Sequence, residues 1–475
     1  MPAMRFRRQT GPRWPRIIFL LSLVLAIAAL GGFVWLRPEV VSVSPAPGAV
    51  DVSPYARLRF TFSQPMETAV ITSEPENLGE LSWNDTFTEL TLQPRNAWPR
   101  EQTVTLRLSG GRSRLGLPLL GEQMWTFTVG AERLIYVDAA SNNLYIVSLA
   151  DGAQPRALTA EPFGVNEYSV KPNGQSIVYS AGREDGGADL RQVDIETGET
   201  QNFLPCPGTA CRAPVFSPDG RRVAYERQLP TPTADGSADF GNARVFVFTP
   251  ESGADEPVGE VGNQTRTPRW APDGRLSFYD ATRQAIVVRN ITDGSATFVP
   301  NDSGEMGAWS PDSQFIVLPQ IVLQENALVL SPTQQITLTG SASVAGFYSH
   351  LQRVTVATNA AVNLSGETVV EDAAPVYSWR GEWLIFARRE LNGVTWTPGR
   401  QLWRMRPDGS EARALTAEPL FAHSAVRWSP DDTQVAFMRL DATDPTAQPE
   451  IWLMTADGAN ARMWVKNAYL PEWLP

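Results

Sequence analysis

A short motif recurs in the C-terminal part of the chain: FSPDG at residues 216–220, WAPDG at 270–274, WSPDS at 309–313 and WSPDD at 428–432. Degenerate copies read VKPNG at 170–174 and YSWRG at 377–381. The motif predicts a tight turn, because proline presets φ at the second position and Asp or Gly tolerates the positions after it. A β-forming run follows each copy, and these runs are Ser176–Tyr179, Arg222–Tyr225, Leu276–Tyr279, Phe315–Leu318, Trp383–Phe386 and Val435–Met438.

A second turn recurs downstream of each run. Its seven copies are Asp151-Gly152, Thr197-Gly198, Ser252-Gly253, Asp293-Gly294, Thr358-Asn359, Asp408-Gly409 and Asp457-Gly458. The last position needs a left-handed backbone, which glycine and, less well, asparagine supply. Seven copies of this turn stand against six of the first. The strand that leads into the first turn, which we call the first-type strand, is therefore missing once. It is expected at 471–475, where it would complete the sheet of the unpaired run Leu134–Val137 and remove free sheet edges.

Four strands per period of roughly 40–65 residues predict a β-propeller. The pattern W-S-P-D-G … D-G … L-T resembles that of the TolB-like propellers, and RALTAEP occurs twice, at 156–162 and 413–419. The resemblance implies a propeller over residues 131–475 and says little about function. The repeat count predicts seven blades; the alternative is six, the number in TolB.

Residues 38–130 predict a separate β-sandwich. Short alternating runs separated by turn clusters such as 45–48 and 109–111 suit such a fold. The runs are Val40–Val43, Leu58–Phe62, Leu90–Leu92, Val104–Leu108 and Trp125–Val129. The segments VSPAPGAVDVSP (43–54), LRFTFSQPM (58–66) and MWTFTVG (124–130) resemble bacterial Ig-like domains. That resemblance implies a spacer of a cell-surface protein.

The N-terminal region predicts a membrane anchor. The apolar run Ile17–Leu36 would span about 30 Å as a helix, the thickness of a bilayer core. Residues 1–16 contain five arginines and no acidic residue, so they are expected to stay in the cytoplasm. The protein is therefore predicted to be a single-pass bacterial membrane protein whose bulk lies outside the cytoplasm. The alternative is a signal peptide cleaved after Ala26-Ile27-Ala28.

Composition narrows the function classes. The 475 residues carry 40 basic and 51 acidic side chains, a net charge of −11, which disfavours nucleic-acid binding. Two cysteines and two histidines leave little for a metal centre, so neither a metal nor a cofactor is expected. No Gly-x-Ser-x-Gly elbow and no phosphate-binding loop occur. Catalysis by scattered carboxylates stays open, without a motif to support it.

Several residues stand out for packing or cross-linking. The aromatic residues before the turns are expected to wedge between blades; they are Phe216, Trp270, Trp309, Tyr377, Trp428 and Trp473. Cys206 and Cys211 predict a disulfide outside the cytoplasm, with a metal pair or free thiols as alternatives. His350 and His423 predict surface or packing roles, and a metal site would need further ligands.

Loop lengths predict a binding face. The long connections between second and third strands are Leu229–Asn242, Leu323–Ser349, Glu390–Arg400 and Asp441–Pro449. Together with the links between blades they lie on one edge of the propeller, which we call the long-loop rim; both histidines and the cysteine loop share it. Binding usually resides in such loops, and the alternative is neutral drift in surface insertions.

The charge of this rim predicts the partner. Its acids are Asp235, Asp239, Glu325, Glu390, Asp441 and Asp444 in the loops and Glu367, Glu371, Asp372 and Glu418 in the links. Arg400 is the one basic residue of the four loops, so a negative rim and a cationic partner are expected. Trp396 is the expected aromatic anchor.

Two functions follow from this sequence. The first is a membrane-anchored binding or scaffolding protein whose propeller rim binds an envelope protein, peptide or glycan. The alternative is an extracytoplasmic carbohydrate-active or lyase-type enzyme with its site at the same rim. The lack of a catalytic motif favours the first.

Overall fold

The computed structural model describes residues 37–474 except 53, 55, 95–97, 120, 151, 234–237, 325–345 and 392–396. These residues form an all-β chain, as expected, and contain no helix. None of them provides a helix suited to crossing a membrane. The predicted anchor 17–36 and tail 1–16 lie outside the described residues. The chain divides into two compact units at Ala131 and Glu132.

Unit 1 is a two-sheet β-fold. One sheet has the strand order β1-β2-β5-β4 and the other β3-β6-β7. The strands are β1 (Val40–Ser44), β2 (Leu58–Phe62), β3 (Met66–Glu74), β4 (Leu78–Trp83), β5 (Glu89–Pro94), β6 (Thr103–Ser113) and β7 (Glu122–Thr128). β2 has the predicted bounds, whereas β3 and β4 were not foreseen.

The core of unit 1 follows from alternation along its strands. Leu58, Phe60 and Phe62 on β2 are buried, as is every second residue from Val104 to Leu108 on β6. Trp98 is fully buried, and its indole N–H donates to the Ala56 carbonyl at 3.2 Å. The apolar core thus lies between the two sheets.

One predicted turn of unit 1 is wrong. Residues 109–111 were expected to end a strand, but β6 continues through them to Ser113. Gly110 has φ 75°, and the register of β6 against β3 shifts beside it. Here the left-handed glycine forms a bulge within a strand, which local sequence does not distinguish from a turn.

In unit 2 the strands form antiparallel groups of four, which we number along the chain. Group 1 contains β8 (Arg133–Asp138), β9 (Asn143–Ser148) and β10 (Arg156–Ala157). Group 2 contains β11 (Val165–Val170), β12 (Ser176–Gly182), β13 (Ala188–Asp194) and β14 (Thr200–Leu204). Group 3 contains β15 (Ala210–Phe216), β16 (Val223–Pro232), β17 (Ala238–Thr249) and β18 (Ala254–Pro257). Group 4 contains β19 (Thr265–Trp270), β20 (Leu276–Asp280), β21 (Ala285–Arg289) and β22 (Ala296–Pro300). Group 5 contains β23 (Ala308–Trp309), β24 (Phe315–Gln324), β25 (Gly346–Thr355) and β26 (Ala361–Asn363).

Two further groups follow before the last strand. Group 6 contains β27 (Val370–Tyr377), β28 (Leu384–Glu390), β29 (Gln401–Met405) and β30 (Arg413–Ala414). Group 7 contains β31 (Phe421–Trp428), β32 (Gln434–Asp441), β33 (Glu450–Thr455) and β34 (Arg462–Lys466). Over the described residues this gives seven groups. Single parallel bridges join groups 2 and 3 at Ala188 and Ala210, and groups 5 and 6 at Ser349 and Glu371.

The end of the chain returns to group 1. The last strand, β35 (Ala468–Trp473), pairs antiparallel with β8, so that Trp473 lies opposite Leu134. In the sheet order β10-β9-β8-β35, it occupies the place that the first-type strand, the one leading into the first turn, has in the other groups. Trp473 is buried against Leu134 and Tyr136. The pairing leaves no free edge on β8.

The first-type strands share a backbone irregularity. In β15, β19, β27, β31 and β35 the register shifts two to three residues before the terminal aromatic residue, and in β11 it shifts one residue earlier. Five of these bulges hold a residue other than glycine at φ 47–52°, namely Ala213, Thr267, Ala374, Ala425 and Leu470. A bulge re-aims the side chain that follows it, so these five strands present their penultimate residue in an altered direction.

The terminal aromatic residues link neighbouring groups. The indole N–H groups of Trp270, Trp428 and Trp473 donate to the carbonyls of Val215, Val376 and Arg427 at 3.1, 3.4 and 3.0 Å. Each acceptor is the penultimate residue of the first-type strand in the preceding group. The indole of Trp309 instead donates to Ser277 Oγ, which donates to the Arg269 carbonyl. These contacts fix the spacing of the groups.

Candidate functional site: the long-loop rim

Part of the predicted binding face is described. Asp239 and Asp444 are exposed, and Asp441 and Glu390 are half-buried. Trp396, Asp235 and Glu325 lie outside the described residues. Asp441 accepts hydrogen bonds from the backbone and hydroxyl of Thr443, and these bonds lower its pKa. Asp444 holds Thr446 in the same way, so both aspartates also stabilise the turns that carry them.

Two of the predicted long loops begin and end as strands. β16 and β17 remain paired to Pro232 and Ala238, and β24 and β25 to Gln324 and Gly346. Residues 229–232 and 346–349 are therefore ordered extensions of their sheets. The loop interpretation failed there because a hairpin can lengthen without interrupting its ladder of hydrogen bonds.

Both histidines lie near this rim but are buried. His350 Nε2 is 2.8 Å from the Thr368 carbonyl, and its Nδ1 is 3.3 Å from Asn363. His423 Nδ1 is 3.1 Å from the Arg400 carbonyl, and its Nε2 is 3.2 Å from Glu418. Both rings thus hold links between strands. His350 on β25 and His423 on β31 are not part of an open binding surface, since both side chains are buried.

An ion pair lies beneath the rim in group 6. Arg388 donates to both carboxylate oxygens of Asp372 at 2.7 Å, and Ser365 Oγ donates to the same carboxylate at 2.6 Å. Asp372 is fully buried. Arg388 also lies over the rings of Phe386 and Trp403. This bidentate pair is satisfied on every side and is not available to a partner.

Glu371, the next acid, lies closer to solvent. It accepts from Arg400 at 2.6 Å and lies 3.4 Å from Arg389. All three side chains are about one-third exposed. Arg400, predicted as the single basic residue of the loops, is therefore already paired with an acid of the neighbouring link.

A second network joins groups 6 and 7. Arg439 bonds Glu418 at 2.8 Å and Glu450 at 3.2 Å. Its guanidinium lies over Trp452, 3.7 Å from the ring centroid, and over Phe421 at 4.1 Å. Because the guanidinium of Arg439 makes two ion pairs and also packs on two aromatic rings, it stabilises the end of β32 at the rim.

The two copies of RALTAEP form equivalent links. Thr159 accepts the Leu144 N–H at 2.9 Å, and Thr416 accepts the Leu402 N–H at 2.9 Å. A strand amide, from Asn143 in one copy and Gln401 in the other, accepts the hydroxyl of that threonine and the backbone N–H of the glutamate. The glutamates, Glu161 and Glu418, then pair with arginines of the next group, Arg191 and Arg439. The repeat thus encodes a structural link, and its glutamates are not free acids.

The predicted negative charge of the rim needs correction. Three of the ten counted acids, Glu371, Asp372 and Glu418, pair with arginines. Arg388, Arg389 and Arg439 lie at strand ends and not in loops, so a count restricted to loops omitted them. Among the described acids, exposed charge is concentrated at Glu367, Asp239 and Asp444.

The cysteine loop is held by one arginine. The structure joins Cys206 and Cys211 in a disulfide with Cα atoms 6.2 Å apart. Arg183, between β12 and β13, donates to the Cys206 and Thr209 carbonyls at 3.0 and 2.9 Å and to Asp189 at 2.6 Å. This arrangement fixes the link between groups 2 and 3 to the hairpin of group 2.

Exposed apolar side chains are more frequent on this rim than on the opposite one. Those on strand extensions or links of the long-loop rim are Phe163, Leu229, Val261, Ile321 and Leu420. Val261 is 92% exposed. The tight-turn rim shows one such residue among those described, Trp379; the others, Phe298, Val362 and Met463, lie on fourth strands. The sequence alone does not predict this distribution, because the exposure of a side chain depends on packing.

Two carboxylates, Glu167 in group 2 and Glu226 in group 3, each accept a hydrogen bond from a bulge of the next group. Burial raises the pKa of Glu167, to which the charge of Glu226 adds, while the N–H of Ala213 and the charge of Arg212 lower it in part. Glu167 accepts the Ala213 N–H at 3.4 Å and Glu226 the Thr267 N–H at 2.6 Å. Both N–H donors belong to bulge residues with a left-handed backbone, so these carboxylates stabilise the bulges. Throughout the described parts of the chain, no cluster of three or more His, Cys, Asp or Glu forms a metal site.

Comparison with known families agrees with the division of the chain. Residues 36–129 match the family model described as bacterial Ig-like domain. The match covers the two-sheet unit and corresponds to the predicted domain 38–130.

Solved structures of propeller proteins are among those that this chain is similar to. One is TolB from Acinetobacter baumannii, with 14% identity, a TM-score of 0.40, and coverage of 86% of this chain and 83% of that one. The β-propeller domain of the Trilobed protease from Pyrococcus furiosus gives 10% identity, a TM-score of 0.44, and coverage of 82% and 94%. Both resemblances concern fold and not activity.

A curated relative is a peptidase. The uncharacterized peptidase YuxL of Bacillus subtilis is 23% identical over 195 residues, which are 37% of this chain and 29% of that protein. The match therefore spans less than a third of the length of the peptidase.

Proposed function

We propose that the protein is a binding protein of the bacterial cell envelope. In this proposal the seven strand groups are the blades of one β-propeller, closed by β35 and carried on the Ig-like unit as a spacer. Residues 17–36 anchor it in the membrane with the N-terminus in the cytoplasm. The long-loop rim binds a protein or peptide of the envelope.

The distribution of exposed apolar side chains is the observation that carries this proposal. Water-exposed leucine, isoleucine, valine and phenylalanine side chains cost free energy that a partner recovers by covering them. Phe163, Val261 and Leu420 lie on links of the long-loop rim. Leu229 and Ile321 extend from strand ends to the same edge. Arg439 packs over Phe421, the residue after Leu420, and a backbone that is held in place before binding lowers the entropy cost of binding.

The mixed charge of the rim fits a polypeptide better than a simple cation. Asp239 and Asp444 offer exposed carboxylates to basic side chains, while Glu371 and Glu418 are already paired. Apolar contacts surrounded by a polar edge are the usual anatomy of a protein interface.

The test uses the full-length protein in its own membrane. A photoreactive amino acid replaces Leu229 or Val261, and in a matched control it replaces Phe298 on the fourth strand of group 4. The proposal expects light-dependent cross-links to one defined envelope protein from the two rim positions and none from Phe298. Leu229→Ser and Val261→Ser should weaken recovery of that protein at least tenfold. Equal cross-linking from all three positions would falsify the proposal.

A further inference from the structure

One tryptophan of unit 2 is exposed to water. Trp379 is 61% exposed, whereas every other tryptophan that the structure describes is buried or half-buried. It lies in the tight turn of group 6, between β27 and β28. An indole has a large apolar surface, so its contact with water is unfavourable unless a partner covers it. The reason for a tryptophan at this position therefore lies outside the core.

The sequence of this turn departs from the other copies at two positions. YSWRG has Trp379 where every other copy has proline, and Arg380 where the others have aspartate or asparagine. Both replaced residue types stabilise the turn, because proline presets φ and the acid or amide caps the backbone of its own turn. In WSPDS, Asp312 accepts the hydroxyl of Ser310 at 2.6 Å and the N–H of Gln314 at 3.0 Å. Trp379 and Arg380 lack these local contributions, which is typical of residues that serve binding and not folding.

Group 7 holds this turn in place. Asp432 accepts the N–H groups of Trp379 and Arg380 at 2.7 and 2.9 Å. The indole N–H of Trp379 donates to the Trp428 carbonyl at 3.3 Å. These bonds fix both the backbone and the ring of Trp379 before a partner arrives, which lowers the entropy cost of binding. Because the one donor of the indole is already used, the ring offers a partner its flat face.

The surroundings of Trp379 favour a sugar over a protein as the partner. A protein interface has a core of several apolar side chains within a polar edge. Among the described residues of the tight-turn rim, Trp379 is the only large apolar side chain that is exposed. Arg380 and Glu382 in the same turn and Thr433 after Asp432 are exposed and polar. One aromatic face is enough for one pyranose ring, whose C–H groups carry a weak positive charge and pack on the negative face of the indole.

We propose that Trp379 and Arg380 bind a pyranose unit of a glycan at the tight-turn rim. The sugar packs on the exposed face of the indole, and the guanidinium of Arg380 donates to its oxygen atoms. A ring with mainly equatorial substituents, as in glucose or N-acetylglucosamine, suits the site because it presents C–H groups on both faces. The site lies on the rim opposite to the long-loop rim, so its failure would leave the proposal for the long-loop rim intact.

Saturation-transfer NMR with the full-length protein, in a detergent without a sugar headgroup, tests this site. Cellobiose and N,N′-diacetylchitobiose are the probes, and sorbitol, which has hydroxyl groups but no ring, is the control. Saturation should pass from the protein to the ring C–H protons of the disaccharides and not to sorbitol. Trp379→Ala should weaken binding by about tenfold or more, as expected for the loss of a tryptophan that anchors a ligand. Trp379→Phe, which keeps a smaller aromatic face, should weaken it less.

Two controls separate binding from folding. Trp379→Ala retains the backbone N–H that Asp432 accepts, so its Tm should stay near that of the parent. Phe298→Ala, at an exposed aromatic residue of a fourth strand, should leave sugar binding unchanged. The proposal would be overturned by the absence of saturation transfer to both disaccharides, by equal transfer to sorbitol, or by transfer that Trp379→Ala leaves unchanged. Cross-linking to one defined envelope protein by a photoreactive amino acid in place of Trp379 would also overturn it, because the ring would then belong to a protein interface.

Discussion

Asp432 accepts the backbone N–H groups of Trp379 and Arg380 at 2.7 and 2.9 Å. Asp432 is the last residue of WSPDD, and Trp379 and Arg380 lie in YSWRG of the preceding group. One carboxylate thus joins the tight turns of groups 6 and 7. Asp432 occupies the position that glycine fills in four of the other five copies, and its φ is 63°.

Ser313 has the same role between groups 4 and 5. It ends WSPDS with φ 58°, and its hydroxyl accepts the Asp273 N–H at 3.0 Å. A residue other than glycine is strained in this conformation by about 1 kcal/mol. In both turns the strain is offset by hydrogen bonds to the preceding group, which glycine could not form.

Replacing Asp432 should separate these two effects. Asp432→Ala keeps the strain and loses both hydrogen bonds, so we expect it to lower the free energy of unfolding by about 1–2 kcal/mol. Asp432→Gly loses the same bonds but relieves the strain, so its loss should be smaller by about 1 kcal/mol. Urea unfolding of the two variants measures the difference. Equal losses would show that the left-handed backbone is not strained.

The C-terminal strand gives a second prediction. Trp473 is buried against Leu134 and donates to the Arg427 carbonyl. Trp473→Ala should lower the free energy of unfolding by about 3–5 kcal/mol, the usual cost of removing a buried aromatic ring. Trp473→Phe should cost less because it keeps most of the buried area. Deletion of 471–475 should also destabilise the protein by several kcal/mol, because it exposes an edge of β8. An unchanged melting temperature after the deletion would rule out closure by this strand.

Much of the strand pattern was predictable because each turn carries its own chemistry. The predicted run Leu276–Tyr279 differs from β20 by one residue, and Ser176–Tyr179 begins where β12 begins. Asn359 was placed in the slot of a glycine, and its φ is 57°. Proline, aspartate and glycine determine these features within a few residues of sequence.

The rest depends on register and on contacts between repeats. Ala213 and Ala425 adopt positive φ although neither residue type signals it, so the bulges were missed. The pair Glu371–Arg389 joins residues that are opposite in β27 and β28, which a count of loop charges does not consider. Aligning the repeats places Arg269, Arg427 and Glu472 at the same position, the penultimate residue of β19, β31 and β35, but does not show that Arg427 pairs with Glu472.

The pKa of His423 gives a third prediction. Burial lowers this pKa below its ordinary value of 6.5, although the Arg400 carbonyl and Glu418 oppose the shift. The unfolded chain therefore takes up a proton near pH 6.5, and the folded protein only at lower pH. Stability that depends on neutral His423 is complete above pH 6.5 and is lost as the pH falls below it.

The measurement compares the parent with His423→Gln between pH 7.5 and 5. The parent should lose stability relative to the variant, with a slope no steeper than about 1.4 kcal/mol per pH unit. The comparison cancels the contribution of the carboxylates, which both proteins share. Parallel pH profiles would mean that His423 titrates alike in the folded and unfolded states.

Two neighbouring acids provide the fourth prediction. Asp372→Asn leaves Arg388 buried without its carboxylate, and we expect a loss of about 3–5 kcal/mol in the free energy of unfolding. Glu371→Gln disrupts a pair that is about one-third exposed, where screening by water limits the loss to about 1 kcal/mol or less. The two substitutions are equally conservative and adjacent, so urea unfolding tests burial alone. Similar losses would contradict the contrast in burial.

The fifth prediction concerns the two rims of unit 2. Asp444→Lys changes an exposed acid of the long-loop rim that no arginine pairs with among the described residues, so we expect it to weaken binding of a basic partner, more so at low salt. Glu418→Gln should affect folding more than binding, since Glu418 is engaged by Arg439. Trp396→Ala, outside the described residues, stays a prediction of weaker binding with intact folding. Asp408→Lys on the tight-turn rim is the control and should leave binding unchanged. If Asp444→Lys and Asp408→Lys weaken binding equally, the partner does not distinguish the rims, and the long connections are surface insertions without a binding role.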